Sequence, residues 1–254
     1  MRLRIVTLAE RPGALAALRR IQRRVWPADM AYINEDPVCG RLWPALLRRF
    51  PEFQLVLCDA RGRVVAGGYT IPFVWNGRPA SLPMGVDGVL TRGVRHHRRH
   101  RRPNALSALL AVVDPRLQGK GLSGKIVRAM GEIARRHGLR ALVAPVRPTL
   151  KHRYPLVPMA RYARWRRPDG APFDPWLRVH WRLGARVLTV AARSMVVDGR
   201  VRDWEAWTQM RFPASGDYVV PGALTTVRID RARARGRYVE PNVWMLHSIS
   251  APTT

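Results

Sequence analysis

The sequence predicts one α/β domain that carries an elaboration at its C-terminal end. Segments with strand periodicity and segments with helix periodicity alternate along most of the chain, and no internal repeat or linker-like stretch breaks that order. The 254 residues suffice for a buried core, and 47% of them are hydrophobic, as in ordinary globular proteins. These observations exclude a disordered chain and favour a single unit built on a sheet.

The N-terminal third predicts a strand, two helices and a hairpin. Alternating side chains indicate the first strand, and apolar residues at helical spacing indicate the first helix. Pro37 and Pro51 favour the start and the end of the second helix. The turn Ala60-Arg61-Gly62 joins two apolar runs as a hairpin. The predicted elements are a strand at 2–8, helices at 12–25 and 37–50, and strands at 53–59 and 63–74.

The alternation resumes after an irregular segment. Residues 75–104 contain Asn76-Gly77, two prolines and the basic run 95–102, which together indicate an insertion with a short helix. Asp174, followed by a proline, predicts a helix start. The later predicted elements are strands at 106–113, 139–146 and 186–197, helices at 121–137 and 175–183, and a Trp-rich helix with further strands beyond 201. We therefore expect a main domain over 1–200 and an elaboration over 201–254 packed on it.

The chain is strongly basic, with 45 lysine and arginine residues against 17 acidic ones and a formal charge of +28. Such a charge favours anionic ligands, including coenzyme A, nucleic acid and anionic lipid. The alternative is an ordinary solvated surface rich in arginine. No apolar run approaches the roughly 20 residues that a membrane span needs, and the two cysteines imply no disulfide framework. We expect a cytoplasmic protein without a membrane span, and we leave a homodimer open.

The sharpest feature is a glycine-rich turn between a predicted strand and a predicted helix. Glycines let the backbone approach an anion closely, and the start of the following helix adds free N–H groups and a positive dipole end. The turn therefore predicts a phosphate site. Two alternatives stay open: a plain helix start, and a P-loop in which Ile126 stands where magnesium binding requires Ser or Thr. The turn comprises Gln118, Gly119, Lys120, Gly121, Leu122, Ser123 and Gly124.

This turn resembles the signature of the GNAT superfamily of N-acetyltransferases, which is Gln or Arg, two residues, Gly, one residue, then Gly or Ala. Gln118 and Gly121 match the signature, and Ser123 departs from it. A second segment of the chain also resembles the family. In many GNAT enzymes a later helix ends with Tyr, three residues and Gly, and here His180 and Gly184 hold those positions.

The resemblance implies a mixed, mostly antiparallel central sheet with helices on both faces. It implies transfer of an acetyl or other acyl group from acetyl-CoA or another acyl-CoA to an amine, directly within a ternary complex. The amides of 118–124 would hold the CoA pyrophosphate, and Val112 and Val113 would flank the pantetheine arm. His180 would replace the tyrosine that protonates the departing thiolate, since an imidazole also donates a proton near neutral pH.

The acceptor amine must lose a proton before it attacks, because a free lysine-type amine has a pKa of about 10.4. Asp87 is our first candidate for the base, since a charged residue is unusual in a Gly-Val-Asp-Gly stretch. Glu35 is a substrate-binding candidate, because it lies between the first two helices, where the family often builds its acceptor groove. Glu240 is a further candidate if the tail folds back. Arg147 and Lys151 are candidates for clamping an acidic acceptor or a CoA phosphate.

Two rival functions follow from the same residues. A non-catalytic nucleic-acid-binding protein would use the basic charge, but no nucleic-acid motif occurs and aromatics do not interleave with the basic run. A GNAT domain that binds acyl-CoA without turnover is the second rival. The arginines around the histidines of 95–102 would repel divalent cations, so we expect no metal. A small-molecule amine is the expected acceptor.

Overall fold

The computed structural model describes residues 3–25 and 27–249, which form one nine-stranded sheet with helices on both faces. Residues 2 and 250–254, which fell within the predicted first strand and the predicted elaboration, lie outside the described residues. The strands are β1 (Arg4–Thr7), β2 (Leu55–Cys58), β3 (Val64–Phe73), β4 (Ala105–Val113), β5 (Ala141–Val146), β6 (Arg186–Arg200), β7 (Gly216–Tyr218), β8 (Val227–Asp230) and β9 (Arg235–Ser248). The helices are α1 (Ala14–Arg23), α2 (Pro37–Arg49), α3 (Gly85–Arg98), α4 (Leu122–Arg136), α5 (Met159–Tyr162), α6 (Pro175–Arg182) and α7 (Val201–Thr208).

The strand order confirms the predicted mixed, mostly antiparallel sheet. It runs β1-β2-β3-β4-β5-β9-β8-β7, and β6 pairs with β9 beside this path. The pairing of β4 with β5 is parallel, and the other pairings of named strands are antiparallel. The crossover between β4 and β5 contains α4, as a parallel connection requires. Within the described ranges, no helix is long and apolar enough to cross a membrane.

Two adjacent glycines in β3 let helices approach both faces of the sheet. A Cβ atom added to Gly67 would collide with Leu18 of α1. One added to Gly68 would lie 2.6 Å from Met130 and 2.7 Å from Ile126, both on α4. Since neighbouring residues of a strand point to opposite faces, α1 and α4 cover opposite sides of the sheet. The predicted placement of helices on both faces is confirmed.

The segment 75–104 differs from the short-helix prediction. It contains the 14-residue helix α3, and Val89, Leu90 and Val94 of this helix are buried in the main core. Glycines and polar residues weaken the helical periodicity here, which hides the helix in the sequence. The start of the basic run 95–102 forms the last turn of α3, where positive charge is favourable.

The boundary predicted at residue 200 does not divide the chain into a main domain and an appendage. β9 hydrogen-bonds to β5 along one edge and to β6 along the other, so it lies inside the sheet. Only the segment 201–234, with α7, β7 and β8, is an addition between β6 and β9. Trp204 and Phe212 of this segment pack in a hydrophobic cluster separate from the main core. Tyr238 of β9 and Tyr32 belong to the same cluster.

Candidate active site

A deep cleft opens where the two parallel strands separate. β4 and β5 pair only over Ala105–Ser107 and Ala141–Val143, although both strands continue beyond this point. The cleft has a volume of about 1100 Å³ and is lined by residues 108–111 and 144–146 from the two diverging strands. The pairing of β3 with β4 skips Leu109, which forms a bulge facing this space. Backbone groups released from pairing are therefore available to an extended ligand.

The glycine-rich turn forms part of the lining of the cleft. Gly119 has a φ of +77° and Gly121 a φ of +72°, a left-handed conformation that favours glycine. Gly121 precedes α4. The first N–H groups of this helix have no intrahelical partner and form the positive end of the helix dipole. Gln118, Leu122 and Ser123 line the cleft with these glycines, whereas Lys120 and Gly124 lie in the turn without lining it. The predicted phosphate site thus has suitable donors.

The two valines predicted to flank the pantetheine arm face different sides of the sheet. Val113 lines the cleft. Val112 is fully buried and packs with Leu18 and Ile21 in the cluster beneath α1. The side chain of Val112 therefore points away from the cleft, because successive side chains of a strand alternate in direction, and the flanking of the pantetheine arm by this strand stays a prediction.

His180 lines the cleft, but its surroundings do not suit a general acid. The ring is 2% exposed, and its Nδ1 lies 2.8 Å from Nε2 of His247. Burial and the neighbouring His247 lower the pKa of His180 to about 3. A neutral ring has no imidazolium proton to give at physiological pH, so the structure does not support the predicted protonation of the thiolate.

A buried ion pair also lines the cleft. Nε of Arg147 donates to Oε2 of Glu240 at 2.9 Å, and both residues line the cleft. Tyr238 and Asn242 also donate to Glu240, at 2.9 and 3.2 Å, and its side chain is only 3% exposed. The tail therefore folds back as the Glu240 alternative required, and the predicted Arg147 lies beside it.

Two predicted substrate-binding residues lie elsewhere. Lys151 is fully buried, and its Nζ donates to the carbonyl oxygens of Tyr154 and Leu224 at 2.7 and 2.5 Å. Burial lowers its pKa to about 8, and it anchors its loop instead of clamping a ligand. Glu35 is exposed and does not line the cleft; Asp29, from the same 3-10 segment, does.

Asp87 belongs to a partly buried cluster next to residues that line the cleft. Ligand atoms of Asp36, Cys39 and Asp87 all lie within 4.8 Å of one another. Oδ1 of Asp87 is buried and has no hydrogen-bond partner among the described residues. Burial and the neighbouring Asp36 raise the pKa of Asp87 to about 8. Asp87 does not line the cleft, whereas Val86 and Cys39 do.

The raised pKa of Asp87 gives stability a defined pH dependence. The unfolded chain loses this proton near the ordinary pKa of 3.8, and the folded protein keeps it to about 8. The folded state therefore binds more protons in this window, so Asp87 makes the protein less stable as pH rises from about 4 to about 8. We expect Asp87→Asn to melt at a higher temperature than the wild type at pH 8, with the difference shrinking toward pH 4.

The exposed carboxylate Asp217 provides a matched control, since its side chain is 54% exposed. Asp217→Asn should not raise the melting temperature at pH 8, because it removes an exposed partner of Arg228 and not a buried carboxylate. A melting-temperature difference between Asp87→Asn and wild type that is constant from pH 4 to pH 8 would contradict the assignment.

Comparison with known proteins identifies the family. No family model matches the chain. The arginine N-acetyltransferase avaD of Aspergillus versicolor is 31% identical to this chain. The match covers 89% of this chain and 86% of that protein. The loading GNATL domain of CurA from Lyngbya majuscula has a TM-score of 0.59 at 16% identity, over 98% of both chains. The GphF GNAT-like decarboxylase in complex with isobutyryl-CoA has a TM-score of 0.56 at 19% identity, over 98% of this chain and all of that one.

The two structural neighbours share the fold, and the identity to the acetyltransferase extends over most of both chains. The cleft between β4 and β5 and the anion-binding turn before α4 fit the co-substrate expected from the sequence. The chain belongs to the GNAT superfamily and is an N-acyltransferase that moves an acyl group from an acyl-CoA to an amine.

Proposed function

We propose that the acceptor is arginine or a closely related small guanidino compound, and that acetyl-CoA is the donor. The observation that carries this proposal is Glu240, a nearly fully buried carboxylate that lines the cleft. Its support from similarity is that the relative avaD is an arginine N-acetyltransferase.

The charges of the cleft suit such an acceptor. The whole chain carries +28, which repels cations at long range. Asp29 and Glu240 place negative charge inside the cleft, where a low dielectric strengthens attraction to a guanidinium. Arg147, beside Glu240, suits the α-carboxylate of an amino acid through charge-assisted hydrogen bonds. Together these groups favour a molecule with both a cationic and an anionic end.

Asp87 remains our proposed proton acceptor for the attacking amine. A base works best when its pKa lies near the working pH, and the pKa of about 8 meets that condition. Since Val86 and Cys39 line the cleft next to it, Asp87 needs no large movement to act. Asp87→Asn should lose turnover although it melts higher at pH 8, and full turnover in that variant would remove Asp87 from the chemistry.

A substrate panel tests the proposed acceptor. The purified protein is incubated with acetyl-CoA and, separately, with L-arginine, agmatine, L-lysine or spermidine. Free CoA thiol is followed by absorbance, and products are identified by mass spectrometry. We expect the highest kcat/KM with L-arginine and a product heavier by one acetyl group. Turnover of lysine or spermidine without arginine would overturn the proposed acceptor but leave the acyltransferase assignment in place. Thermal stabilisation by CoA without any product would indicate a domain that binds acyl-CoA silently.

A further inference from the structure

A bulge in β6 brings a buried serine against the start of α3. The pairing of β6 with β9 advances four residues from Ala191 to Met195 while β9 advances only two, so β6 leaves its regular register here. Ser194 lies in this bulge and is fully buried. A Cβ atom added to Gly85, the first residue of α3, would collide with Ser194. The close approach of the bulge to the helix therefore depends on glycine.

Ser194 joins α3 to a chain of hydrogen bonds that ends on the Glu240 carboxylate. The backbone N–H of Val86 donates to Oγ of Ser194 at 2.9 Å. Oγ of Ser194 donates to Oδ1 of Asn242 at 2.5 Å. Nδ2 of Asn242 donates to Oε1 of Glu240 at 3.2 Å and to the carbonyl oxygen of Pro241 at 2.9 Å. The three side chains in this chain are nearly fully buried, so bulk water does not compete for their hydrogen bonds.

Both ends of this chain require the same orientation of the Asn242 amide. At one end, the N–H of Val86 can only donate, so it occupies a lone pair of Ser194 and leaves the hydroxyl proton for the carbonyl oxygen of Asn242. At the other end, the carbonyl of Pro241 can only accept, so it requires the NH2 group of Asn242 on its side. The amide is therefore locked with its NH2 group toward Glu240.

The locked amide supports a carboxylate that lines the cleft. Arg147 and Tyr238 both donate to Oε2 of Glu240, whereas Asn242 donates to Oε1. The terminal torsion of a glutamate side chain is soft, so two donors on one oxygen leave the position of the other oxygen poorly defined. The contact from Asn242 fixes the plane of the carboxylate.

We propose that Ser194 and Asn242 are positioning residues for acceptor binding, because they hold the Glu240 carboxylate in the orientation that receives the cationic end of the acceptor. The proposal rests on the role of Glu240 in the acceptor site proposed above. Ser194 does not line the cleft and acts through Asn242, which does. The bulge in β6 and the glycine at the start of α3 are thus part of the construction of the acceptor site.

The kinetics of Ser194→Ala with acetyl-CoA test this role. The assay uses the amine of the substrate panel with the highest kcat/KM, which we expect to be L-arginine. The substitution lets the Asn242 amide turn, so the KM for the amine should rise about 3- to 10-fold, the size of one lost hydrogen bond. The KM for acetyl-CoA should stay at the wild-type value. Asn242→Ala should raise the KM for the amine by at least as much. An unchanged KM for the amine in both variants would overturn the proposal.

A double-mutant cycle tests whether Ser194 acts through Asn242. In the Asn242→Ala background, Ser194→Ala should cause no further rise in the KM for the amine, because the amide that the serine orients is already absent. Additive effects of the two substitutions would contradict the proposed chain of hydrogen bonds.

Glu240→Gln separates the positioning role from the proposed function. An unchanged KM for the amine in this variant would remove Glu240 from the acceptor site, and the positioning role with it. A raised KM in Glu240→Gln together with a wild-type KM in Ser194→Ala would leave Glu240 in the acceptor site and overturn only the positioning role.

Ser107→Ala is the matched control. Ser107 is also a fully buried serine, its Oγ donates to the carbonyl oxygen of Ala108 at 3.2 Å, and it does not line the cleft. This variant should leave the KM for the amine unchanged. Melting temperatures check that each variant is folded. If the loss of the acceptor for the Val86 N–H prevents Ser194→Ala from folding, Asn242→Ala keeps that bond and tests the same prediction.

Discussion

Gly121→Glu is expected to abolish acyl-CoA binding while the protein stays folded. The substitution places a carboxylate at the start of α4, where the free N–H groups face the cleft. Two negative groups in one anion site cost several kcal/mol, so the Kd for CoA should rise by at least about 100-fold. The glutamate must also adopt the φ of +72°, which costs on the order of 1–2 kcal/mol of stability. Calorimetric titration with CoA and thermal melting with and without CoA measure the two effects.

Gly138→Glu is a closely matched control at the other end of α4. Gly138 has a φ of +66°, and a Cβ atom there would meet nothing within 4 Å, as at Gly121. The control introduces the same side chain, the same charge and the same backbone strain away from the cleft. It should bind CoA like the wild type. Loss of binding in both variants would indicate damage to the fold, and retained binding in Gly121→Glu would place the phosphates elsewhere.

Arg147→Met is expected to cost about 3–5 kcal/mol of unfolding free energy, because it leaves Glu240 buried without its cation. Methionine retains most of the side-chain volume, so the effect reports the lost charge more than a cavity. The variant also loses the hydrogen bond from Nη2 to the carbonyl of Gly222 at 2.6 Å. Urea unfolding at neutral pH measures the change, and an unchanged m-value checks that the folded state stays compact.

Two further variants separate the buried charge from side-chain loss. Arg228→Met breaks an ion pair with Asp217 whose side chains are 65% and 54% exposed, and it should cost less than about 1 kcal/mol. Glu240→Gln added to Arg147→Met removes the unpaired charge and should recover part of the lost stability. Equal costs for Arg147→Met and Arg228→Met would contradict the account of a buried, uncompensated carboxylate.

The phosphate turn and the Arg147–Glu240 ion pair differ in how well the sequence predicts them. The phosphate turn is seven consecutive residues, so its glycines and its place between strand and helix are visible in the sequence. The ion pair joins Arg147 to Glu240, which are 93 positions apart, and no local pattern in the sequence predicts that contact. Lys151 shows the same limit: its burial depends on the carbonyl of Leu224, 73 positions away. The spacing to Gly184 singles out His180, but its hydrogen-bond partner His247 is 67 positions away, on β9.

The position of β9 has a consequence for how the protein acquires its fold. Eight strands precede β9 in the chain, yet β9 is the strand that joins β5 to β6 and carries β8. Until β9 has been made, β5 presents an unpaired edge, and such edges are prone to pairing with other chains. Pairing between residues far apart in sequence is also slow to form. Nascent chains that stop short of residue 235 should therefore depend on chaperones, and Glu240 and Asn242 reach the cleft only after β9 has joined the sheet.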